Sequence, residues 1–232
     1  MRNAECGLRS KTRGVGVCEE GKASGVKSQK SEVKSQELGV GNQRGGPGEM
    51  EKFMLDKNNA VLLIIDIQDK LASVMTMKDQ VVKNCLHLIE LAKMQNIPVI
   101  VTEQYPKGLG RTVAEIQAAL PLYKPIEKVA FNCCGEPAFL AEIKKLGKKK
   151  VIVAGMETHI CVLQTSLGLL QEGLDVHLAQ DAVCSRTKEN WKVGVEFMRV
   201  AGAVVTCTET VLFQLLKVAG TEEFKKISMR IR

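Results

Sequence analysis

Apolar segments that alternate with amphipathic segments constrain the fold of this chain more than any other feature. The first is "AVLLIID" at 60–66, a continuous apolar run typical of a strand buried on both faces. Segments with helical periodicity follow most of the later runs. Strands joined by helices predict right-handed βαβ crossovers, and therefore a parallel sheet with helices packed against it.

The pattern predicts six strands and five main helices. The strands are predicted at 60–66, 97–102, 126–131, 150–155, 175–180 and 203–207. The helices are predicted at 78–95, 136–146, 160–173, 188–201 and 209–218. The predicted fold class is α/β, a three-layer α/β/α domain with a six-stranded parallel sheet, Rossmann-like in arrangement.

The first 49 residues differ from the rest in composition, because they contain no Phe, Trp or Tyr and are rich in Gly, Ser, Lys and Glu. Such a segment buries too little apolar surface to offset its ordering entropy. We therefore predict a disordered tail over 1–49 and a folded domain over 50–232. A regulatory tail, a weak targeting peptide and a translation start at Met50 or Met54 are the alternatives, and the acidic residues of the tail count against targeting.

Charge and cysteine usage narrow the function classes. The net charge is +7, but the densest basic run, 144–150, falls at a predicted helix end, where lysines oppose the helix dipole. No nucleic-acid partner is predicted, and no apolar run is long enough to span a membrane. Eight cysteines without a CxxC motif or an apolar signal segment predict free thiols in a reducing, cytoplasmic compartment.

Three chemically reactive side chains fall at or near the ends of predicted strands. Asp66 ends the first strand, Lys128 lies in the third, and Cys161 follows the fourth. In parallel sheets ligands bind outside the carboxyl ends of the strands. An acid, a lysine and a thiol are therefore expected to converge on one rim.

Cys161 is predicted to lie at the start of a helix, where backbone N–H groups and the helix dipole favour a thiolate. A nearby lysine would lower the thiol pKa further, and a carboxylate could take the proton. The alternative is an ordinary buried cysteine that only packs. His159 is two residues away on the same helix and points in another direction, so it is predicted to line or orient the site.

Neither a metal nor a nucleotide site is predicted. HxH and CxxC spacings are missing from the sequence, and its glycine-rich segments lack GxGxxG or P-loop spacing. His87 and His177 lie inside a predicted helix and a predicted strand, which favours structural roles. No cofactor is therefore expected.

From about residue 58 to 220 the sequence resembles the isochorismatase-like cysteine hydrolase family. The similarity is carried, in order, by "LLIIDIQDKL", "VTEQYPKGLG", "EKVAFN", "VIVAGMETHICVLQT" and "DAVCSR". The resemblance implies the isochorismatase-like hydrolase fold and a catalytic triad of Asp66, Lys128 and Cys161. In that family the cysteine attacks an amide, the aspartate accepts its proton, the lysine stabilises charge, and a covalent thioester is hydrolysed.

The resemblance also implies a non-proline cis peptide bond at Met156–Glu157 and an oxyanion hole formed by the backbone N–H groups of Glu157 and Cys161. Nicotinamidases of the family carry an Asp-x-His metal motif where this chain has Glu103-Gln104-Tyr105, so no metal is expected here. Residues at the rim are expected to bind substrate. These are Gln68, Glu103, Gln104, Tyr105, Phe131 and His159.

The predicted function is hydrolysis of a small amide or related C–N bond by a homo-oligomeric cysteine hydrolase. The alternative is a catalytically quiet oligomeric family member that binds a ligand or a partner protein. The three reactive residues favour the enzyme, because a scaffold needs no such set on one rim. The sequence does not identify the substrate.

Overall fold

The computed structural model describes residues 50–232, and the predicted tail over 1–49 lies outside the described residues. The strands are β1 (Ala60–Ile65), β2 (Val99–Gln104), β3 (Ile126–Lys128), β4 (Lys150–Met156), β5 (Asp175–Cys184) and β6 (Val204–Thr206). The helices are α1 (Asp69–Ala72), α2 (Lys78–Met94), α3 (Pro106–Leu109), α4 (Ala114–Ala119), α5 (Pro137–Leu146), α6 (Leu163–Gln171), α7 (Lys188–Val200), α8 (Thr208–Leu216) and α9 (Glu222–Arg230).

The six strands form one parallel sheet in the order β3-β2-β1-β4-β5-β6. The strand β1 lies in the middle, with β2 on one side and β4 on the other. The order of the strands therefore reverses between β1 and β4. In open sheets of this kind the crevice for ligands forms above that reversal, beyond the carboxyl ends of the strands.

Helices cover both faces of the sheet, which confirms the three-layer prediction. Successive residues of a strand point to opposite faces. Accordingly Leu62 and Ile64 pack with residues of α2, α8 and α9, while Leu63 and Ile65 pack with residues of α5, α6 and α7. All six residues of β1 are buried, so a continuous apolar run is what this position requires.

The ends of three strands differ from the prediction. The fifth strand was predicted over 175–180 but continues to Cys184, and the other two differences lie on the opposite side of the sheet. The third strand was predicted over 126–131 but ends at Lys128, because the N–H groups of Val129 and Ala130 donate to the carboxylate of Glu136. The second strand was predicted to end at residue 102 but continues to Gln104. Glu103 and Gln104 therefore lie inside a strand, where apolar periodicity does not predict polar residues.

Four helices lie where none was predicted, namely the short helices α1, α3 and α4 and the C-terminal α9. The sequence does carry a signal for α9. Thr221 caps it by accepting a hydrogen bond from the N–H of Phe224 at 3.1 Å, two glutamates occupy its first turn, and Ile227 is buried. Among residues 50–232 no helix is long and apolar enough to cross a membrane.

Gly155 of β4 is adjacent to Ile65 of β1 and has a φ of +132°. A Cβ atom there would lie 2.1 Å from the Ile65 carbonyl oxygen. We expect Gly155→Ala to lower the free energy of unfolding by about 3 kcal/mol or more, because a steric clash adds to backbone strain. Chemical denaturation monitored by circular dichroism measures this loss.

Gly147 is the matched control, since its φ is +60° and a Cβ atom there would meet nothing within 4 Å. Gly147→Ala should cost only about 1 kcal/mol, the strain of a left-handed conformation. Equal losses in the two variants would contradict the close approach of β4 to β1.

Candidate active site

Asp66 is the first residue after β1 and is completely buried. Its φ of +53° is left-handed, a conformation that aspartate adopts more readily than most residues. Its Oδ1 accepts a hydrogen bond from Thr102 Oγ1 at 2.7 Å, and its Oδ2 lies 2.6 Å from Lys128 Nζ. The end of the central strand thus holds a carboxylate in a buried ion pair.

Lys128 reaches this carboxylate from the edge of the sheet. Its strand, β3, is separated from β1 by β2, which places the two strands about 10 Å apart. Lys128 is paired with Gln104, two residues beyond the Thr102 that pairs with Ile65. The side chain therefore extends over the end of β2 toward the middle of the sheet.

The ammonium group of Lys128 has a full set of acceptors. Besides its ion pair with Asp66, it donates to Gln104 Oε1 at 2.7 Å and to the carbonyl oxygens of Ala130 at 3.3 Å and Phe131 at 3.5 Å. Burial is the largest single effect and disfavours its charge, but the Asp66 carboxylate, together with Cys133 and Cys161, outweighs burial, so that the pKa of Lys128 is raised. The group is therefore charged at neutral pH.

Cys161 lies in a π-helical turn, Thr158–Val162, that precedes α6. This turn places the thiol on the sheet face covered by α5, α6 and α7, where the residue is only 5% exposed. The preceding peptide bond, Met156–Glu157, is cis, as the resemblance implies. Glu157 is the residue that directly precedes the turn that contains Cys161, and its side chain makes no capping hydrogen bond to that turn.

The charge state of Cys161 differs from the expectation of a resting thiolate. Burial raises the pKa of its thiol, and the adjacent Asp66 carboxylate raises it further. The Lys128 ammonium lowers the thiol pKa, but by less than the other two effects raise it. The prediction from the helix start was wrong because it left out burial, and the thiol is protonated at neutral pH.

A second buried thiol, Cys133, joins the site through Thr102. Its Sγ lies 3.9 Å from Thr102 Oγ1, and its backbone N–H donates to Thr165 Oγ1 of α6 at 3.0 Å. The sequence pattern singled out neither Cys133 nor Thr102. Neither residue has a local signal, because each contacts the site through residues distant in sequence.

Gln68 and Gln104, both predicted to bind substrate, use their amide groups inside the protein. Gln68 Nε2 donates to the carbonyl oxygens of Gln104 at 3.0 Å and Gly110 at 2.7 Å, and its Oε1 accepts from the Gln104 N–H at 2.7 Å. Gln104 Nε2 donates to the carbonyl oxygen of Val129 at 2.7 Å. Both side chains therefore fix the backbone around Lys128.

Glu103, also predicted to bind substrate, holds the segment that follows α3. Its Oε1 accepts from the N–H and hydroxyl of Thr112 at 2.6 and 2.9 Å and from the Tyr123 hydroxyl, and Arg111 lies 3.3 Å from its Oε2. Burial opposes ionisation, but the hydrogen bonds from Tyr123 and Thr112 outweigh it and lower the pKa of the Glu103 carboxyl. This carboxylate is occupied by protein groups.

The three other predicted substrate-binding residues keep side-chain surface available. Tyr105 and Phe131 are 55% and 53% exposed, and both contact Lys128 through their backbones. His159 is half-buried, and its Nδ1 lies 2.9 Å from Ser185 Oγ. Among residues 50–232 no three His, Cys, Asp or Glu side chains form a metal-binding group.

The comparisons with known proteins agree on one family. Residues 60–210 match the family model described as the isochorismatase domain. Isochorismatase family protein 1A of Dictyostelium discoideum is 38% identical over 178 residues, which cover 75% of this chain and 86% of that protein.

Three solved structures superpose on this chain with TM-scores of 0.72. The MAR1 ribonuclease of Caenorhabditis elegans is 36% identical and covers 77% of this chain and 92% of its own. YcaC of Pseudomonas aeruginosa, described with covalent acrylamide, is 30% identical and covers 76% and 91%. The Escherichia coli YcaC gene product, described as an octameric hydrolase of unknown specificity, is 29% identical and covers 76% and 90%.

The electrostatics of the site predict that Asp66→Asn makes Cys161 more reactive. Removing the carboxylate removes the largest effect after burial that raises the thiol pKa, while the Lys128 charge stays. Below the pKa, each unit of decrease raises the thiolate fraction about tenfold. We expect modification of Cys161 by iodoacetamide at pH 7 to accelerate about tenfold, measured by peptide mass spectrometry.

Asp69→Asn is the control, because Asp69 is an exposed carboxylate three residues further on and should leave the rate unchanged. Unchanged or slower modification in a correctly folded Asp66→Asn variant would show that Asp66 does not hold the proton on the thiol.

Proposed function

This chain belongs to the isochorismatase family, and from that premise we propose that it is a cysteine hydrolase that cleaves a small amide or a related C–N bond. The observation that carries the proposal is the buried contact between Asp66 and Lys128 beside the Cys161 thiol. Each of the three residues comes from the end of a different strand or from the turn that follows it. A neutral thiol beside a carboxylate is the arrangement that general-base activation of a nucleophile needs.

The first half of the reaction forms the thioester. Asp66 takes the proton of the Cys161 thiol as the sulfur attacks the amide carbon, which creates a tetrahedral oxyanion. The oxyanion then collapses, the C–N bond breaks, and Asp66 returns the proton to the leaving nitrogen. An acyl group bound to sulfur and a free amine are the products of this half.

The second half hydrolyses the thioester. Asp66 accepts a proton from water as the water oxygen attacks the acyl carbon. The tetrahedral intermediate collapses, the C–S bond breaks, and the thiolate recovers its proton from Asp66. The products are a carboxylic acid and the original thiol, so the enzyme is unchanged.

Lys128 and the turn after β4 provide the charge stabilisation in this scheme. Lys128 remains positive through the cycle and offsets the negative charge that moves between Asp66, sulfur and oxygen. The backbone N–H groups of Glu157 and Cys161 would donate to the oxyanion. Glu157 itself is held in place by Arg186, whose N–H and Nε both donate to its Oε2 at 3.1 Å.

The residues that bind substrate are proposed to be Tyr105, Phe131 and His159, because their side chains are exposed or half-buried beside Lys128 and Cys161. The other three residues predicted to bind substrate are proposed not to contact it, namely Gln68, Glu103 and Gln104. Their polar groups are occupied by the protein, and they set the shape of the rim that the first three residues form.

We further propose a homo-oligomer in the cytoplasm. The E. coli relative is described as octameric, and α7 exposes an apolar row at helical spacing, Val193, Phe197 and Val200, that a second copy could cover. The six cysteines of residues 50–232 are all free, which suits a reducing compartment.

A catalytically quiet binding protein is the alternative function. It is less well supported because a buried ion pair costs desolvation energy that apolar residues would avoid. Since the C. elegans relative is named a ribonuclease, a short RNA belongs in the activity screen beside amides, ureides and hydroxamates.

Cys161→Ala is predicted to lower the hydrolysis rate of any amide found in that screen by more than about 1,000-fold, since it removes the sulfur that forms the thioester. Rapid quenching and intact-mass measurement should show a wild-type acyl adduct that the variant lacks. Cys134→Ala is the matched control, because this half-buried cysteine faces Glu172 and Lys144 instead of the triad. Turnover that survives Cys161→Ala would refute the thioester mechanism.

A further inference from the structure

We propose that the acyl group this site accepts is uncharged, so that amides bearing a carboxylate beside the scissile bond are excluded. This proposal rests on the cysteine-hydrolase function proposed above and specifies the class of amide. It follows from how the charges around Cys161 are already used.

The cation next to the nucleophile has no donor to spare. An ammonium group has three N–H donors. Those of Lys128 donate to Gln104 Oε1 at 2.7 Å and to the carbonyl oxygens of Ala130 at 3.3 Å and Phe131 at 3.5 Å, while the Asp66 carboxylate lies 2.6 Å away as its counter-ion. A substrate carboxylate would have to displace one of these buried partners.

Two arginines lie around the rim, and each faces an acidic side chain. Arg186 donates to Glu157, and Arg111 lies beside both Glu103 and Glu127. Their charges are therefore balanced by the protein before any substrate arrives. These arginines form ion pairs with protein carboxylates, whereas an anion-binding site would have an excess of positive charge.

The surface beside the buried lysine is apolar. Three exposed side chains lie next to Lys128: Tyr105, Val129 and Phe131, which are 55%, 74% and 53% exposed. Val129 follows Lys128 in the sequence, and the other two contact it through their backbones. Cys161 is only 5% exposed, so a group that reaches its sulfur must leave water. An uncharged group tolerates this transfer, whereas a carboxylate without a new counter-ion does not.

Two alkylating reagents that differ mainly in charge test the proposal directly. Iodoacetamide is neutral and iodoacetate is an anion, and both transfer a two-carbon group to a thiol. The P. aeruginosa relative described with covalent acrylamide supports the choice of a small neutral amide reagent. Rates at Cys161 are measured by peptide mass spectrometry at one pH, with N-acetylcysteine in solution as the reference thiol.

We expect the rate ratio of iodoacetamide to iodoacetate at Cys161 to exceed the ratio for N-acetylcysteine at least about tenfold, because Lys128, Arg111 and Arg186 already face protein carboxylates. A cation added at the rim should reverse part of this preference. Phe131→Lys is therefore expected to accelerate iodoacetate about threefold or more relative to the wild type. Val218→Lys, at an exposed position after α8, is the control for the added charge.

Equal ratios at Cys161 and in solution would overturn the proposal, and so would a failure of both reagents to reach Cys161. The alkylation experiment tests the charge selectivity separately from the hydrolase proposal. If the charge preference is found and no amide is hydrolysed, the hydrolase proposal fails and the selectivity stands. If amides are hydrolysed without charge preference, the selectivity fails and the hydrolase stands.

Discussion

The buried ion pair between Asp66 and Lys128 is the interaction on which the rest of the site depends. It joins the central strand to the edge strand across β2, with both side chains inside the protein. Loss of either partner would leave a buried charge, a penalty of roughly 3 to 5 kcal/mol. The strand order, the height of β3 relative to β1 and the length of the lysine side chain must therefore agree for the domain to be stable.

The same pair determines where the thiol proton resides. The Asp66 carboxylate beside the buried thiol raises the thiol pKa and so keeps the proton on sulfur. An enzyme of this kind would keep a neutral thiol at rest instead of a permanent thiolate. Cys161 therefore differs from cysteines in electropositive, solvent-exposed surroundings, whose thiol pKa is lowered.

The sequence was sufficient for the sheet, because strands such as β1 and β4 are buried on both faces and therefore read as apolar runs. It also placed the three reactive side chains on one rim, since the carboxyl ends of parallel strands share an edge. It was insufficient for Glu103 and Gln104, whose partners include Thr112 and Lys128. Polar residues inside a sheet are tolerated only because of such distant partners, and a local pattern contains no trace of them.

The side chain of Gln68 has a consequence for the architecture of the sheet itself. Its Oε1 accepts from the N–H of Gln104, and its Nε2 donates to the carbonyl oxygen of Gln104. The side-chain amide therefore takes the place that a peptide unit of β1 would occupy. The central strand can therefore stop at Ile65 while its neighbour continues, without an unpaired backbone group between them. Because a side chain replaces the main chain there, β1 ends before β2 in the middle of the sheet. Asp66 lies in the space that this difference in length leaves.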